Sequence, residues 1–172
     1  NKDFKNGNSK DLYKQFGEMG LLGPTVKGYG CLGTSYKLYG LMAKEIEYID
    51  SGYRSMFSVQ SSLVMNPINK YGSEVMKDKY LENLGSGNYI GCFGLTEPDS
   101  GSDASDMNTV AKEKNGDYIL NGSKTWITNS PIADVLLVWA KLDGKVNGFV
   151  LDRNMDGIET PEIDTKMSLN AS

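Results

Sequence analysis

The sequence predicts an α+β chain, with a helical first half and an antiparallel β half that meet near residues 88–90. Three observations predict it. Apolar residues recur at three- and four-residue spacing up to about residue 85. From Tyr89 onward they fall into short runs instead: YIL, KTWIT, DVLLVWAK and NGFVLD. Those runs are punctuated by Asn115-Gly116, Asn121-Gly122 and Asp143-Gly144. Such dipeptides favour tight hairpins, because Asn and Asp tolerate positive φ and Gly prefers it. The reading divides the chain into a partial N-terminal helical domain at 1–88 and a partial β domain at 89–172, an antiparallel meander belonging to a sandwich or barrel.

The elements follow in order. Ser9 is placed to cap a short helix carrying Leu12 and Phe16, which Gly20 ends. GLLGPTVKGYGCLG is a Gly-rich connector. Thr34 or Ser35 caps a longer helix with Leu38, Leu41, Met42, Ile46 and Ile49 on one face, broken at Ser51-Gly52. YRSMFSVQSSLVMNPINKYG is a second apolar helix, which Pro67 kinks or shortens. Ser73 begins a third, through Val75, Met76, Tyr80, Leu81 and Leu84, and residues 85–87 stop it.

Composition excludes several classes of function. A chain of 172 residues buries a real core. Its net charge of −4 makes a poor partner for nucleic acid, whose affinity rests on basic groups at phosphates. The apolar run VLLVWA at 135–140 is too short to span a bilayer, and the polar opening NKDFKNGNSKD carries no signal-peptide pattern, so no membrane association is expected. The two cysteines, Cys31 and Cys92, stand in no CxxC spacing, so neither a disulfide framework nor a metal site is expected and a reducing compartment is the default. There is no histidine. Acid–base chemistry must therefore come from a carboxylate, a lysine, a tyrosine, a cofactor or another segment.

Four patterns carry chemistry or imitate it. GYGCLG at 28–33 matches GxGxxG, but no buried strand precedes it and no second strand follows its helix, so it reads as a connector. Arg54 is one of two arginines in a lysine-rich chain and sits among Tyr53, Met56, Phe57 and Val59. Its fork grips a carboxylate with two parallel hydrogen bonds; the alternative is a structural ion pair with Glu47, seven residues back. CFGLTEPDSGSD at 92–103 combines hydroxyls and glycines that let backbone N–H groups approach an anion, or else forms an ordinary capped turn. KTWIT at 124–128 reads as a strand that puts the Trp126 face and the Thr128 hydroxyl on one side, suited to a planar cofactor or to core packing.

GLTEPDSGSD followed by NGSKTWITN resembles the two flavin-binding signatures of the acyl-CoA dehydrogenases, in order, in spacing and in the helical-then-β layout. Within that family GLLGPTVKGYGC, DSGYRSMFSVQSSLVMNPI and GCFGLTEPDSGSD are most similar to the glutaryl-CoA branch. The resemblance runs from about Gly20 to the last residue. It implies FAD as cofactor, lined by Phe93, Gly94, Leu95, Thr96, Glu97, Gly101 and Ser102. Thr96 would lie near the isoalloxazine, and Ser102 near the pyrophosphate and the CoA part of the acyl-CoA substrate. It places Trp126, Ile127 and Thr128 around the flavin ring, Thr128 close to N5, and it assigns Arg54 and Ser55 to the distal carboxylate of a dicarboxylic acyl group, with Glu47 beside Arg54.

The reaction implied is α-proton abstraction with hydride transfer to flavin. In the glutaryl branch, loss of CO2 from glutaryl-CoA then gives crotonyl-CoA. Electrons pass to an electron-transferring flavoprotein. The family forms homotetramers, in the cytoplasm of bacteria or the mitochondrial matrix of eukaryotes. It also carries a second helical domain after the β domain, which supplies the catalytic glutamate. The chain therefore reads as a fragment with no catalytic base of its own, expected to have no dehydrogenase activity and little FAD affinity alone. The alternatives are a dehydrogenase for another short-chain acyl-CoA and a non-catalytic remnant.

Overall fold

A computed structural model describes residues 9–169. Helix α1 spans Ser9–Glu18; the cap expected of the Ser9 side chain lies outside what is described. The Gly-rich connector folds into a two-stranded ribbon, β1 at Lys27–Gly28 and β2 at Cys31–Leu32. Its turn is Tyr29-Gly30, both with positive φ.

Helix α2, Tyr36–Ile49, begins under Ser35, whose hydroxyl accepts the Leu38 N–H at 3.3 Å. The break expected at Ser51-Gly52 falls one residue earlier. Asp50 is extended, and its carboxylate accepts the Gly52 N–H at 2.6 Å, so Ser51 and Gly52 open helix α3, Ser51–Ser58. One residue thus closes off one helix with its backbone N–H, which bonds to the Ile46 carbonyl, and caps the next with its side chain.

Pro67, expected to kink or shorten its helix, does not end it. The chain instead widens into a π-helical stretch over Val59–Met65 and continues as α4, Asn66–Tyr71, with Pro67 in the first turn. A proline lacks an N–H and crowds the carbonyl four residues back; hydrogen bonding from i to i+5 relieves both. Helix α5, Glu74–Gly85, starts under Ser73, which accepts the Met76 N–H.

The β half contains β3 (Gly91–Gly94), a 3₁₀ turn at Ala104–Asp106, β4 (Val110–Lys114), β5 (Asp117–Asn121), β6 (Val135–Leu142) and β7 (Lys145–Asp152). The α+β layout holds, but the sheet is mixed rather than wholly antiparallel. β7 pairs antiparallel with β6 along its whole length. Two parallel partners share the other edge of β6: β3 through Gly91↔Val135 to Gly94↔Val138, and β4 at Val110↔Lys141. The hairpins at Asn115-Gly116 and Asp143-Gly144 form as expected, with positive φ at all four residues.

Asn121-Gly122 is not a hairpin. A Cβ at Gly122 would stand 2.3 Å from the Thr109 hydroxyl, so glycine here serves a close approach between segments. The strand expected at 124–128 is also absent. Trp126 and Asn129 have positive φ, and the Thr125 N–H bonds to the Thr96 carbonyl at 2.8 Å instead of to a strand partner.

The main core packs the π stretch and α4–α5 against the sheet. Val64, Met65, Ile68, Leu81 and Leu84 meet Val26 and Val135, all nearly or wholly buried. Each such side chain contributes about 1.5–3 kcal/mol through burial. Gln60, fully buried, joins the two halves. Its amide donates to the carbonyls of Leu84 and Tyr89, each at 2.9 Å, and its oxygen accepts the Gly91 N–H at 2.7 Å. That bond fixes the first residue of β3, and β3 delivers the segment that follows it to the site.

Candidate functional site

Three segments converge: the start of α3, the loop leaving β3, and the irregular stretch 122–130. The contact that joins the first to the last is Ser55 Oγ to Thr128 Oγ1, 3.3 Å apart.

On the α3 side a polar network bridges the helix break. Arg54 Nε donates to Glu47 Oε2 at 2.6 Å, Arg54 Nη1 to Ser58 Oγ at 3.2 Å, and the Ser51 hydroxyl to Glu47 Oε1 at 2.5 Å. Ser51 and Arg54 hold the Glu47 carboxyl below its usual range. The ion pair anticipated for Arg54 and Glu47 is present, with both side chains open to solvent by about two fifths: 37% and 44% exposed. The Arg54 guanidinium is thus oriented by its neighbours and remains accessible.

On the β side the centre is Glu97, which is buried. It accepts the N–H groups of Asn108 at 2.6 Å and Thr109 at 3.0 Å, the Thr109 hydroxyl, and Lys124 Nζ at 2.8 Å. Burial pushes its pKa up, but Lys124, Thr109 and the two backbone donors outweigh this and bring it to about 2. Lys124 also donates to the Leu95 carbonyl at 3.1 Å. The Glu97 side chain therefore faces inward; the sequence reading placed it toward a cofactor.

The outward groups stand beside this pair. Trp126 is 63% exposed and holds φ +60, a conformation costly for a bulky residue. Strain of this kind collects at functional sites. Thr96, Leu95 and Thr128 are half-buried, and Gly101 and Ser102 are exposed, with open space where a Gly101 Cβ would be. Gly94 is buried with the Lys124 stem 3.3 Å from its missing Cβ, which explains a glycine at the end of β3. Phe93 packs edge-on against Trp139. Ile127 turns into the small cluster of Cys92, Ala133 and Leu136.

Beyond the turn, Arg153 donates to the carbonyls of Ser130 and Pro131 at 2.8 and 2.7 Å. Asn129 Nδ2 donates to the Gly91 carbonyl at 2.9 Å. These bonds tie down the C-terminal side of the 122–130 stretch. Sequence reasoning named none of Lys124, Thr109, Asn129 or Arg153 as parts of the site. The one signal was a lysine inside a tryptophan-bearing run.

The donor set suits a flat ring with polar edges: an exposed indole, hydroxyls at Thr96, Ser102 and Thr128, and a glycine-flanked backbone. Among the described residues no cluster of Cys, Asp or Glu could hold a metal ion.

Comparison with known proteins identifies the family. The family model described as acyl-CoA dehydrogenase, N-terminal domain, matches residues 2–88, and that of the acyl-CoA dehydrogenase middle domain matches 92–172. A crystal structure of a glutaryl-CoA dehydrogenase from Mycobacterium smegmatis in complex with FADH2 is 49% identical, with a TM-score of 0.92, over 94% of this chain and 42% of that one. Mitochondrial isovaleryl-CoA dehydrogenase of Pongo abelii is 36% identical over 99% of this chain and 42% of its own length. An acyl-CoA dehydrogenase of Bacillus subtilis is 39% identical over 94% of this chain and 44% of its own length. The chain thus spans less than half the length of these relatives.

Proposed function

The chain belongs to the acyl-CoA dehydrogenase family, and from that premise we propose that it serves the FAD-dependent oxidative decarboxylation of glutaryl-CoA to crotonyl-CoA and CO2. The cofactor is FAD. When bound, it supplies the two-electron acceptor for the hydride leaving the substrate β-carbon. In this reading an electron-transferring flavoprotein takes the electrons onward and the protein works as a homotetramer.

The residues of this chain hold and orient. Trp126 offers an exposed aromatic face on which the flavin ring can stack. Thr96 and Thr128 supply hydroxyls at its edge, and Ser102 with Gly101 supplies donors for the pyrophosphate side. Arg54 and Ser55 take the distal carboxylate of the acyl group. Glu47 and Ser58 preset the guanidinium before substrate arrives, so less ordering remains to be done on binding. The α-proton goes to a carboxylate outside this chain.

The observation that carries the dicarboxylic reading is the step from Arg54 to Ser55 to Thr128. Arg54, whose side chain is partly exposed, directly precedes Ser55, and the Ser55 hydroxyl lies 3.3 Å from that of Thr128, the residue assigned to flavin N5. A monocarboxylic acyl chain has no use for that cation. The test is kcat/KM of Arg54→Met in the protein expressed from its complete reading frame, on glutaryl-CoA and on butyryl-CoA. Glutaryl-CoA turnover is expected to fall by about 2–5 kcal/mol, since a desolvated carboxylate is left unpaired. Butyryl-CoA should lose much less. Equal losses with a lower melting temperature would make Arg54 a structural partner of Glu47 and leave a dehydrogenase for another short-chain acyl-CoA.

A further inference from the structure

We propose that Glu97 and Lys124 form a buried positioning pair that holds the two flavin-facing segments, 93–102 and 124–128, at a fixed separation, with Glu97 acting through Lys124 and the backbone and not on the cofactor. The inference rests on the flavoprotein reading above.

The geometry is directional. The Lys124 ammonium reaches Glu97 and the Leu95 carbonyl, both on the first segment. One residue further, the Thr125 N–H bonds to the Thr96 carbonyl. Glu97 in turn collects the N–H groups of Asn108 and Thr109, which anchor the far end of the loop. Both charged side chains are nearly closed off from solvent, at 3% and 10% exposed. The groups that face outward, Thr96 and Trp126, stand one residue from Glu97 and two from Lys124 respectively.

A buried ion pair is a poor choice for stability alone, because a well-packed apolar pair of similar volume does as well or better. What it adds is a requirement on distance and direction: an ammonium lacking its carboxylate, or the reverse, is severely penalised. Two loops with little regular structure gain one allowed spacing. The strained Trp126 backbone also needs neighbours that over-determine it, and Lys124, bonded to Glu97 and the Leu95 carbonyl, stands two residues before it.

The experiment uses the protein from its complete reading frame, with Glu97→Gln, Lys124→Met and the double variant, and with Ile68→Val as a remote core lesion. FAD affinity is measured by titrating the apoprotein, and the flavin environment by its visible absorption spectrum. Far-UV circular dichroism checks the fold. The pair predicts at least tenfold weaker FAD binding and an altered flavin spectrum in Lys124→Met, and a smaller change of the same kind in Glu97→Gln. The double variant should be no worse than the worse single one. Wild-type affinity and spectrum in both single variants would overturn the proposal. So would a loss in Ile68→Val as large as that in Lys124→Met, which would make the effect global. If Lys124→Met does not fold, the shape-preserving Glu97→Gln decides alone. An apoprotein of the unmodified sequence that binds no FAD would instead overturn the underlying flavoprotein reading.

Discussion

Ser55 and Thr128 place their hydroxyls 3.3 Å apart although they lie 73 positions apart in the sequence, and through them the helical half touches the stretch proposed to face the flavin. Each hydroxyl has a second task in the proposed chemistry, Ser55 at the acyl carboxylate and Thr128 at flavin N5. Thr128→Val removes a donor from the place where hydride arrives. It is expected to slow flavin reduction by roughly ten- to a hundred-fold, about 1–3 kcal/mol, with a smaller change in substrate affinity. Stopped-flow reduction at the unmodified rate would count against the assignment.

The acid limb of stability should carry the signature of Glu97. Its pKa is about 2 in the folded chain, against an ordinary 4.5. The unfolded chain therefore binds this proton more readily, and the stabilisation is fully present above about pH 4.5. It is lost as pH falls from there toward 2, on the order of 3 kcal/mol in all. Urea unfolding between pH 7 and pH 2.5 should show that decline, and Glu97→Gln should flatten it. Parallel curves for the two proteins would contradict the assignment.

Gln60→Leu should be among the costliest single changes in the helical half. It strands the carbonyl of Tyr89 and the N–H of Gly91 and leaves the Leu84 carbonyl to local backbone donors such as the Gly87 N–H, at about 1–3 kcal/mol for a buried group left unpaired. A total loss of about 3–5 kcal/mol in a urea titration is expected, and a loss under 1 kcal/mol would show that water or a shifted backbone replaces the amide.

Gly122→Ala tests the close approach. The added methyl carbon would meet Thr109, whose hydroxyl bonds to Glu97. Destabilisation of about 1–3 kcal/mol is expected from forcing the two segments apart. Gly116→Ala, where a Cβ meets nothing within 4 Å but φ is +88, should lose stability through backbone strain without disturbing flavin binding. Thermal melts and FAD titrations of both separate the two effects.

The 172-residue chain on its own is expected to bind FAD weakly and to turn over no acyl-CoA. Helix α2 buries none of its residues and leaves Tyr36, Leu41, Tyr48 and Ile49 exposed. Measurable dehydrogenase activity of this chain with a dye acceptor would refute the expectation.

The switch from helix to sheet was legible because it is a change of period, a property of neighbouring residues. The hairpins at Asn115-Gly116 and Asp143-Gly144 were legible for the same local reason. What escaped was set by distant partners. The parallel pairing of β3 with β6 joins residues 44 apart, Gly91 and Val135, and no short-range pattern announces it. Asn121-Gly122 imitates a hairpin, yet its glycine answers to Thr109. KTWIT has the composition of a strand, but Lys124 is drawn inward by Glu97 and Trp126 takes a positive φ, so no ladder forms. The candidate segments themselves were visible, while the inward face of one of them, Glu97, was not.

Gln60 also sets an order of events. Its three partners, Leu84, Tyr89 and Gly91, all lie downstream, the last of them only 31 residues on. Synthesis runs from the N-terminus, so the amide stays hydrated until its partners, of which residue 91 is the last, have emerged. The bond to Gly91 closes a short loop, at modest entropic cost, and needs no residue of β6, which lies wholly downstream. The helical half thus offers the sheet's first strand an anchor that is independent of the rest of the sheet.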